Sequence, residues 1–311
     1  MKRNYYYQER RKQEDYYNAN LKGKVKNQGV FRGKPWPFVL QNGIDNLFGC
    51  IQEDCVNYFE QENITWWGEN KSKHLPSGHL VSSQIHCLNH LFALRKDDAT
   101  IKDIIENATG LQIKQVLASP LDKDGGYITF EFVYKNKTLL DENYETRGAN
   151  CTSIDAMIYV LTKSGDKILI PIEWKYTETY QGKEAEESSL ERYPKLINEK
   201  SNLKGWSDLY KADPYYELMR QTLLMEQIIA QKDICEIEAD DYHHIMIIPD
   251  DHTVLKDAIK NNYMPLLKDY DKESGISEKF CIFDPQKFLS PLNENNDYKK
   301  MLNYLKTRYW K

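Results

Sequence analysis

The chain has 311 residues, 41% of them hydrophobic and 29% charged, with a formal net charge of −5 and a pI of about 5.9. These are the proportions of a soluble globular protein, and the negative total argues against a protein that grips nucleic acid through a broad, sequence-indifferent basic surface. No apolar run approaches the roughly 20 residues of a membrane helix, and "MKRNYYYQERRKQEDYY" at the N-terminus lacks an apolar core, so neither a membrane span nor a signal peptide is expected.

The first 35 residues are polar and basic and read as a loosely packed arm or a surface helix. Basic clusters at 2–3, 10–12 and 22–26, with Arg32 and Lys34, read as solvated surface. Residues 43–62 carry Leu47, Cys50, Ile51, Cys55, Tyr58 and Phe59 at helical spacing. "LPSGHL" is a turn, and Val81, Ile85, Leu88 and Phe92 then form one stripe of a helix over 80–94. Strand patterns follow: "IKQVLAS", then "YITFEFVY" after the turn chemistry of "DKDGG". Strands over 152–162 and 167–176 flank "KSGDK", a tight hairpin turn. Asp213 suits an N-cap, Pro214 the first helical position, and the apolar pattern of that helix runs through Ile229. "HHIMIIP" is a short buried strand, in which His243 and His244 read as satisfied core or edge histidines.

This order predicts an α/β fold, a mixed β-sheet flanked by helices with N- and C-terminal helical elaborations. A single domain over 1–311 is expected, with a core at about 75–250 and elaborations at 1–74 and 251–311. Six cysteines form no CxxC pair and read as reduced, buried thiols of a cytoplasmic protein. Most of the 22 tyrosines read as packing, Tyr176 and Tyr180 among them, though some could stack on bases.

The chemistry concentrates in "ILIPIEWKY". Side chains of a strand alternate, so Glu173 and Lys175 share one face while Ile172 and Trp174 share the other. Ionisable groups on an apolar strand are costly unless they pair or do chemistry. If Lys163 lies opposite Lys167, Asp155 falls beside Lys175 and Met157 beside Glu173. A slip of one or two residues still leaves Asp155 next to the pair. Two carboxylates so placed make a hard oxygen site suited to Mg²⁺, and the lysine could orient or deprotonate a water or neutralise charge. The competing interpretation is a structural salt bridge. Pro171, inside this strand, predicts a local bulge.

"SID" at 153–155 followed by "IEWK" at 172–175 resembles the PD-(D/E)xK nuclease superfamily. The match is nearest to a bacterial restriction-endonuclease-like group with a "TS-x-DA…IEWKYTE-x-Y" signature. "LPSGHLVSSQ", "ERY" at 191–193 and "YYELMRQTLL" are similar stretches, so the likeness covers about 75–249. It implies Mg²⁺-dependent phosphodiester hydrolysis, with Mn²⁺ as a substitute, Asp155 and Glu173 as metal ligands and Lys175 as the catalytic lysine. Ile154 stands where the superfamily's name has proline. Some relatives carry a glutamine on the helix after the lysine. Gln221, with Arg220, resembles it, and a positioning role is favoured over an ordinary buried amide.

Superfamily members often place an acid on the first core helix. None stands at 80–94 here, which leaves Ser83 or Gln84 as site contacts or as capping and packing residues. Glu131, between Phe130 and Phe132, could join the site or face solvent, with solvent favoured. The leading expectation is a metal-dependent endonuclease acting on nucleic acid, DNA before RNA, in restriction, phage defence or repair, with a homodimer as an option. The alternatives are a catalytically silent nucleic-acid-binding protein of the same fold and a salt-bridge cluster in an unrelated α/β enzyme.

Overall fold

A computed structural model of the chain describes residues 5–67, 75–134, 139–142, 151–180, 184, 190–233 and 235–310. A mixed sheet forms the centre. Strand β5 (Ile154–Thr162) pairs antiparallel with β6 (Lys167–Trp174) on one side. On its other side, β3 (Ile113–Leu117) and β4 (Ile128–Phe132) share its length end to end. Beyond β6 the sheet becomes parallel: β7 (Asp241–Tyr242) and β8 (His244–Ile247) pair with β6, and β11 (Phe280–Phe283) pairs with β8. Two short strands, β9 (Tyr270–Asp271) and β10 (Ile276–Ser277), form a separate ribbon.

Helices cover both faces because the alternating side chains of β5 and β6 are apolar on both. Ile158, Val160, Ile170, Ile172 and Trp174 pack with α2 (Gln52–Gln61), α3 (Ser83–Leu91), α4 (Asp98–Thr109) and the C-terminal α8 (Lys299–Arg308). Met157 and Leu169 face α5 (Tyr215–Ala230), which contributes Leu218, Met219, Leu223, Met225 and Ile228. Shorter helices α6 (Thr253–Ala258) and α7 (Pro285–Phe288) come between α5 and α8 in the chain.

The structure corrects several sequence expectations. The helix predicted over 43–62 is a 3-10 turn at Gly43–Asn46, capped by Asn42, and then α2, with an exposed turn at Gly49 and Cys50 between them. That of 80–94 begins at Ser83, because the Ser82 side chain accepts from the Ile85 N–H, and ends in a 3-10 turn. Pro214 is the N-cap of α5, so the helix starts one residue later than predicted. Helix α4 was not predicted, although Asp97 caps its start and Gly110, at φ 71°, ends it. Cys50 is exposed, while Cys55 and Cys87 are buried.

The N-terminal segment is not a loose arm. Helix α1 (Tyr5–Tyr16) buries Glu9 and Gln13, a polar stripe that apolar periodicity does not reveal. Gln13 Nε2 donates to the Tyr176 hydroxyl and to the Arg308 carbonyl, both at 3.1 Å, and Arg308 Nε returns a bond to Gln13 Oε1 at 2.9 Å. The Tyr176 hydroxyl donates to Glu9 at 2.9 Å, so both ends of the described chain clamp the residue after Lys175. After α1 comes a hairpin, β1 (Asn27–Phe31) and β2 (Lys34–Leu40).

Pro171 makes no bulge. The β5–β6 register runs through Met157↔Pro171 unbroken, and β6 keeps one offset to β7 and to β8. Leu169 accepts from the His243 N–H and Lys175 donates to the Ile247 carbonyl, so the odd-numbered backbone groups of β6 face β7 and β8. The proline therefore removes one donor at the step between those two strands, without a register change.

Candidate active site

The hairpin register places the site. Thr162 N–H donates to the Asp166 carbonyl at 2.9 Å, leaving a three-residue loop in which Gly165 has φ 102°. Leu161 therefore pairs with Lys167 and Ala156 with Ile172, two residues away from the predicted register. Carried one step further, Asp155 stands across from Glu173 instead of Lys175. The pairs Phe130↔Ala156 and Phe132↔Ile154 likewise bracket Glu131 opposite Asp155. Three carboxylates thus lie on three adjacent strands.

Glu173 is buried and held on both oxygens. Lys175 Nζ contacts Oε1, and Gln221 Nε2 reaches Oε2 at 2.5 Å while also donating to the Ser153 carbonyl at 3.0 Å. Both partners of that amide nitrogen are acceptors, which fixes its orientation and leaves Gln221 Oε1 buried with no partner among the described residues. Asp155 is partly exposed, and its Oδ2 accepts the Trp174 N–H at 2.7 Å, tying β5 to the end of β6. Lys175 is anchored through its N–H to the Ile247 carbonyl at 2.9 Å. Its ammonium also meets Glu217 Oε2 at 2.6 Å.

The electrostatics follow from burial. Desolvation, then the Coulombic effect of Asp155 and Glu217, pushes the Glu173 carboxyl well above its ordinary range, although Lys175 opposes the shift. Burial pushes Asp155 up to about 8, with Lys175 opposing and Glu131 adding to the rise. Burial works against the Lys175 charge, but Glu173 and Glu217 outweigh it and raise its pKa well above the usual lysine value. The site therefore gathers three carboxyl groups, of Asp155, Glu173 and Glu217, around one ammonium, and burial disfavours the charged form of the first two.

Glu217 was missed by sequence reasoning. Its signal was its spacing: it stands four residues before Gln221, on the same face of α5. Glu131 does not face solvent. Its φ of 48° breaks the strand alternation, so Phe130 and Phe132 enter opposite cores and the carboxylate turns inward. There it accepts from Gln84 Nε2 at 2.7 Å and from Trp67 Nε1 at 3.1 Å. Gln84 Oε1 accepts the Trp67 N–H at 3.0 Å, so Gln84 is a bracket for Glu131. Ser83 Oγ donates to the Trp174 carbonyl at 2.8 Å and pins the end of β6 to α3.

Arg220 is engaged with Tyr216 and Glu142. Its guanidinium lies over Tyr216 at 4.5 Å, with Nη1 3.7 Å from Glu142 Oε1. Glu142 in turn holds Thr152, through the N–H at 2.6 Å and the hydroxyl at 2.7 Å, just before β5 begins. Tyr193, from "ERY", donates to the same carboxylate at 2.9 Å. The histidines near the sheet are not metal ligands in arrangement. Trp174 Nε1 donates to His86 Nδ1 at 2.6 Å, and His243 Nε2 faces Cys281 Sγ at 3.4 Å. His244, expected to be satisfied, has neither ring nitrogen partnered among the described residues, because β8 buries it beside Phe280.

A family model described as "Restriction Endonuclease associating with ARP" matches residues 10–310. The chain belongs to that family. Membership makes it restriction-endonuclease-like and points to a nuclease with nucleic acid as its substrate class, in keeping with the mixed sheet flanked by helices. No curated protein and no solved structure matches the chain. Among the described residues no helix is long and apolar enough to cross a membrane.

Among the described residues, no group of three or more His, Cys, Asp or Glu side chains is arranged as a metal cage. Mg²⁺ does not require one, since it binds through one or two carboxylates and keeps several waters. The donors present fit such an ion. They are all oxygens, Asp155 and Glu173 carry charge that burial disfavours, and the unpartnered Gln221 Oε1 is a further acceptor beside them.

Proposed function

We propose that the chain is a PD-(D/E)xK-type endonuclease that hydrolyses phosphodiester bonds in DNA, with Asp155 and Glu173 holding Mg²⁺ or Mn²⁺. The observation that carries this reading is the meeting of Glu173, Lys175 and Gln221 beside Asp155 at one end of β5 and β6. A divalent cation, when bound, would supply Lewis-acid stabilisation of the phosphate charge and a more acidic water.

The protein's own groups divide the remaining work. Lys175, kept protonated by Glu173 and Glu217, is a hydrogen-bond donor and fixed positive charge toward the phosphate or the attacking water, not a general base. Gln221 fixes the rotamer of Glu173, and the Trp174 N–H fixes that of Asp155. Ser83 and the Glu142–Thr152 contact hold the strand ends that carry these groups. Association with ARP is carried over from the family description as part of this reading.

The test is incubation of supercoiled plasmid, linear duplex and single-stranded DNA with Mg²⁺ or Mn²⁺. Nicking or cutting that a chelator stops is expected. Intact DNA in every combination would overturn the reading.

A further inference from the structure

Residues 16–44 contain five basic residues, Lys22, Lys24, Lys26, Arg32 and Lys34, and no Asp or Glu. Since the whole chain totals −5, the remainder carries −10. The five charges sit on and just before the β1–β2 hairpin, and all five side chains are exposed. Among the described residues none of the four lysines is paired with a carboxylate.

The hairpin is built to present them. On β1 Gln28 and Val30 are exposed, as are Lys26 just before it and Arg32 just after it, while Gly29 is buried and Phe31 is turned toward His79, its ring centroid 4.6 Å away. A side chain at Gly29 would strike the Leu40 carbonyl oxygen at 2.3 Å, so the two strands are closely apposed there. The tip is the two-residue loop Arg32–Gly33, with φ of 51° and 72°. Both positions are left-handed, a geometry in which asparagine or glycine is usual, yet an arginine occupies the first. Trp36 Nε1 donates to the Phe31 carbonyl at 3.0 Å and braces the loop.

The base of the hairpin is joined to the segment that leads into the site. Leu40 N–H donates to the Gly78 carbonyl at 2.8 Å and Leu80 N–H to the Phe38 carbonyl at 3.0 Å. Three residues after Leu80, Ser83 holds the end of β6 next to Lys175.

We propose that this hairpin is the docking surface for the phosphate backbone of duplex DNA, placing Lys24, Lys26, Arg32 and Lys34 on phosphates beside the cut site. The proposal rests on the nuclease reading for its substrate class. It also accounts for how an acidic chain approaches DNA: the local cluster supplies the attraction that the total charge does not.

The test is fluorescence anisotropy with a labelled duplex of about 20 base pairs, in chelator so that nothing is cut, across a salt series. The variant is K24Q/K26Q/R32N/K34Q, in which asparagine at 32 keeps the left-handed turn. Relative to the parent, affinity should fall at least about 10-fold and the log–log salt slope should shrink by about 3.6, since each of the four lost phosphate contacts removes about 0.9. R32N alone, with an unchanged melting temperature, should shrink the slope by about 1. The control K299Q/K300Q on α8 should leave it as in the parent.

Parental affinity and slope in the quadruple variant, an equal fall in the control, or a parent that binds no duplex at any salt would each overturn the proposal. A parent that shows this salt dependence but cuts nothing overturns the nuclease reading alone. A parent that cuts, with a quadruple variant of unchanged slope, overturns the hairpin alone.

Discussion

Glu217 Oε2 lies 2.6 Å from Lys175 Nζ, and one turn along the same face of α5 Gln221 Nε2 reaches Glu173 at 2.5 Å. The helix thereby holds both members of the Glu173–Lys175 pair, one through a carboxylate and one through an amide. This makes α5 the positioning element of the site.

Glu217→Gln keeps the shape and removes the charge that helps keep Lys175 protonated. Loss of a neighbouring carboxylate lowers a lysine pKa, so the alkaline limb of the cleavage profile should move to lower pH. The rate near neutrality should fall by about 10-fold, below the scale of losing a catalytic group itself, while Mn²⁺ binding persists. A pH–rate series on E217Q and parent checks this. Superimposable profiles would assign Glu217 a surface ion pair and nothing more.

Asp155 gives a pH dependence of defined sign. Its folded pKa is raised to about 8, above its unfolded value, so its stabilising contribution is present at low pH and is lost as pH rises through that value. Asp155→Asn has no such titration. In chelator, the stability of D155N relative to the parent should rise between about pH 4 and pH 8, by at most about 1.4 kcal/mol per pH unit. Urea midpoints at several pH values decide it, and a gap independent of pH would mean that Asp155 is not desolvated.

Much of this site was legible because the strands that carry it are strongly patterned. Ile168 to Trp174 and the apolar stripe of α5 read as a buried strand and its covering helix. Glu173 and Lys175 followed from strand alternation, while Gln221 was singled out by the family resemblance, its period placing only the amide partly inward. The hairpin register was off by two because Thr162 closes the turn: its hydroxyl accepts the Asp166 N–H at 3.0 Å, while Ser164 Oγ donates to Asp166 Oδ2 at 2.6 Å. Hydrophobic patterning does not encode that choice. For Glu131 solvent was favoured over the site because alternation assumes extended backbone throughout, and its positive φ violates that assumption. For α1 a surface helix was one of the two readings, but its docking was not legible, because it is held through Glu9 and Gln13, whose partners Tyr176 and Arg308 lie at least 163 residues away in the chain.

Trp174 links the site strand to α3. It is 1% exposed, and its indole N–H donates to His86. Trp174→Ala should cost about 3–5 kcal/mol in urea unfolding, from lost packing and a large cavity, with the unpaired His86 nitrogen adding to it. A loss below about 1 kcal/mol would contradict the packing described here.

The central claim is that Lys175 acts on the reaction while Asp155 and Glu173 hold the cation. Lys175→Ala removes a positive charge beside the carboxylates and leaves both in place, so Mn²⁺ binding by titration calorimetry should persist or tighten. In a plasmid-nicking time course the same variant should be slower by roughly 100-fold or more, the scale of losing one electrostatic or acid–base catalyst. K175A that nicks plasmid as fast as the parent would contradict the claim and leave Glu173, Lys175 and Glu217 as a structural ion-pair cluster.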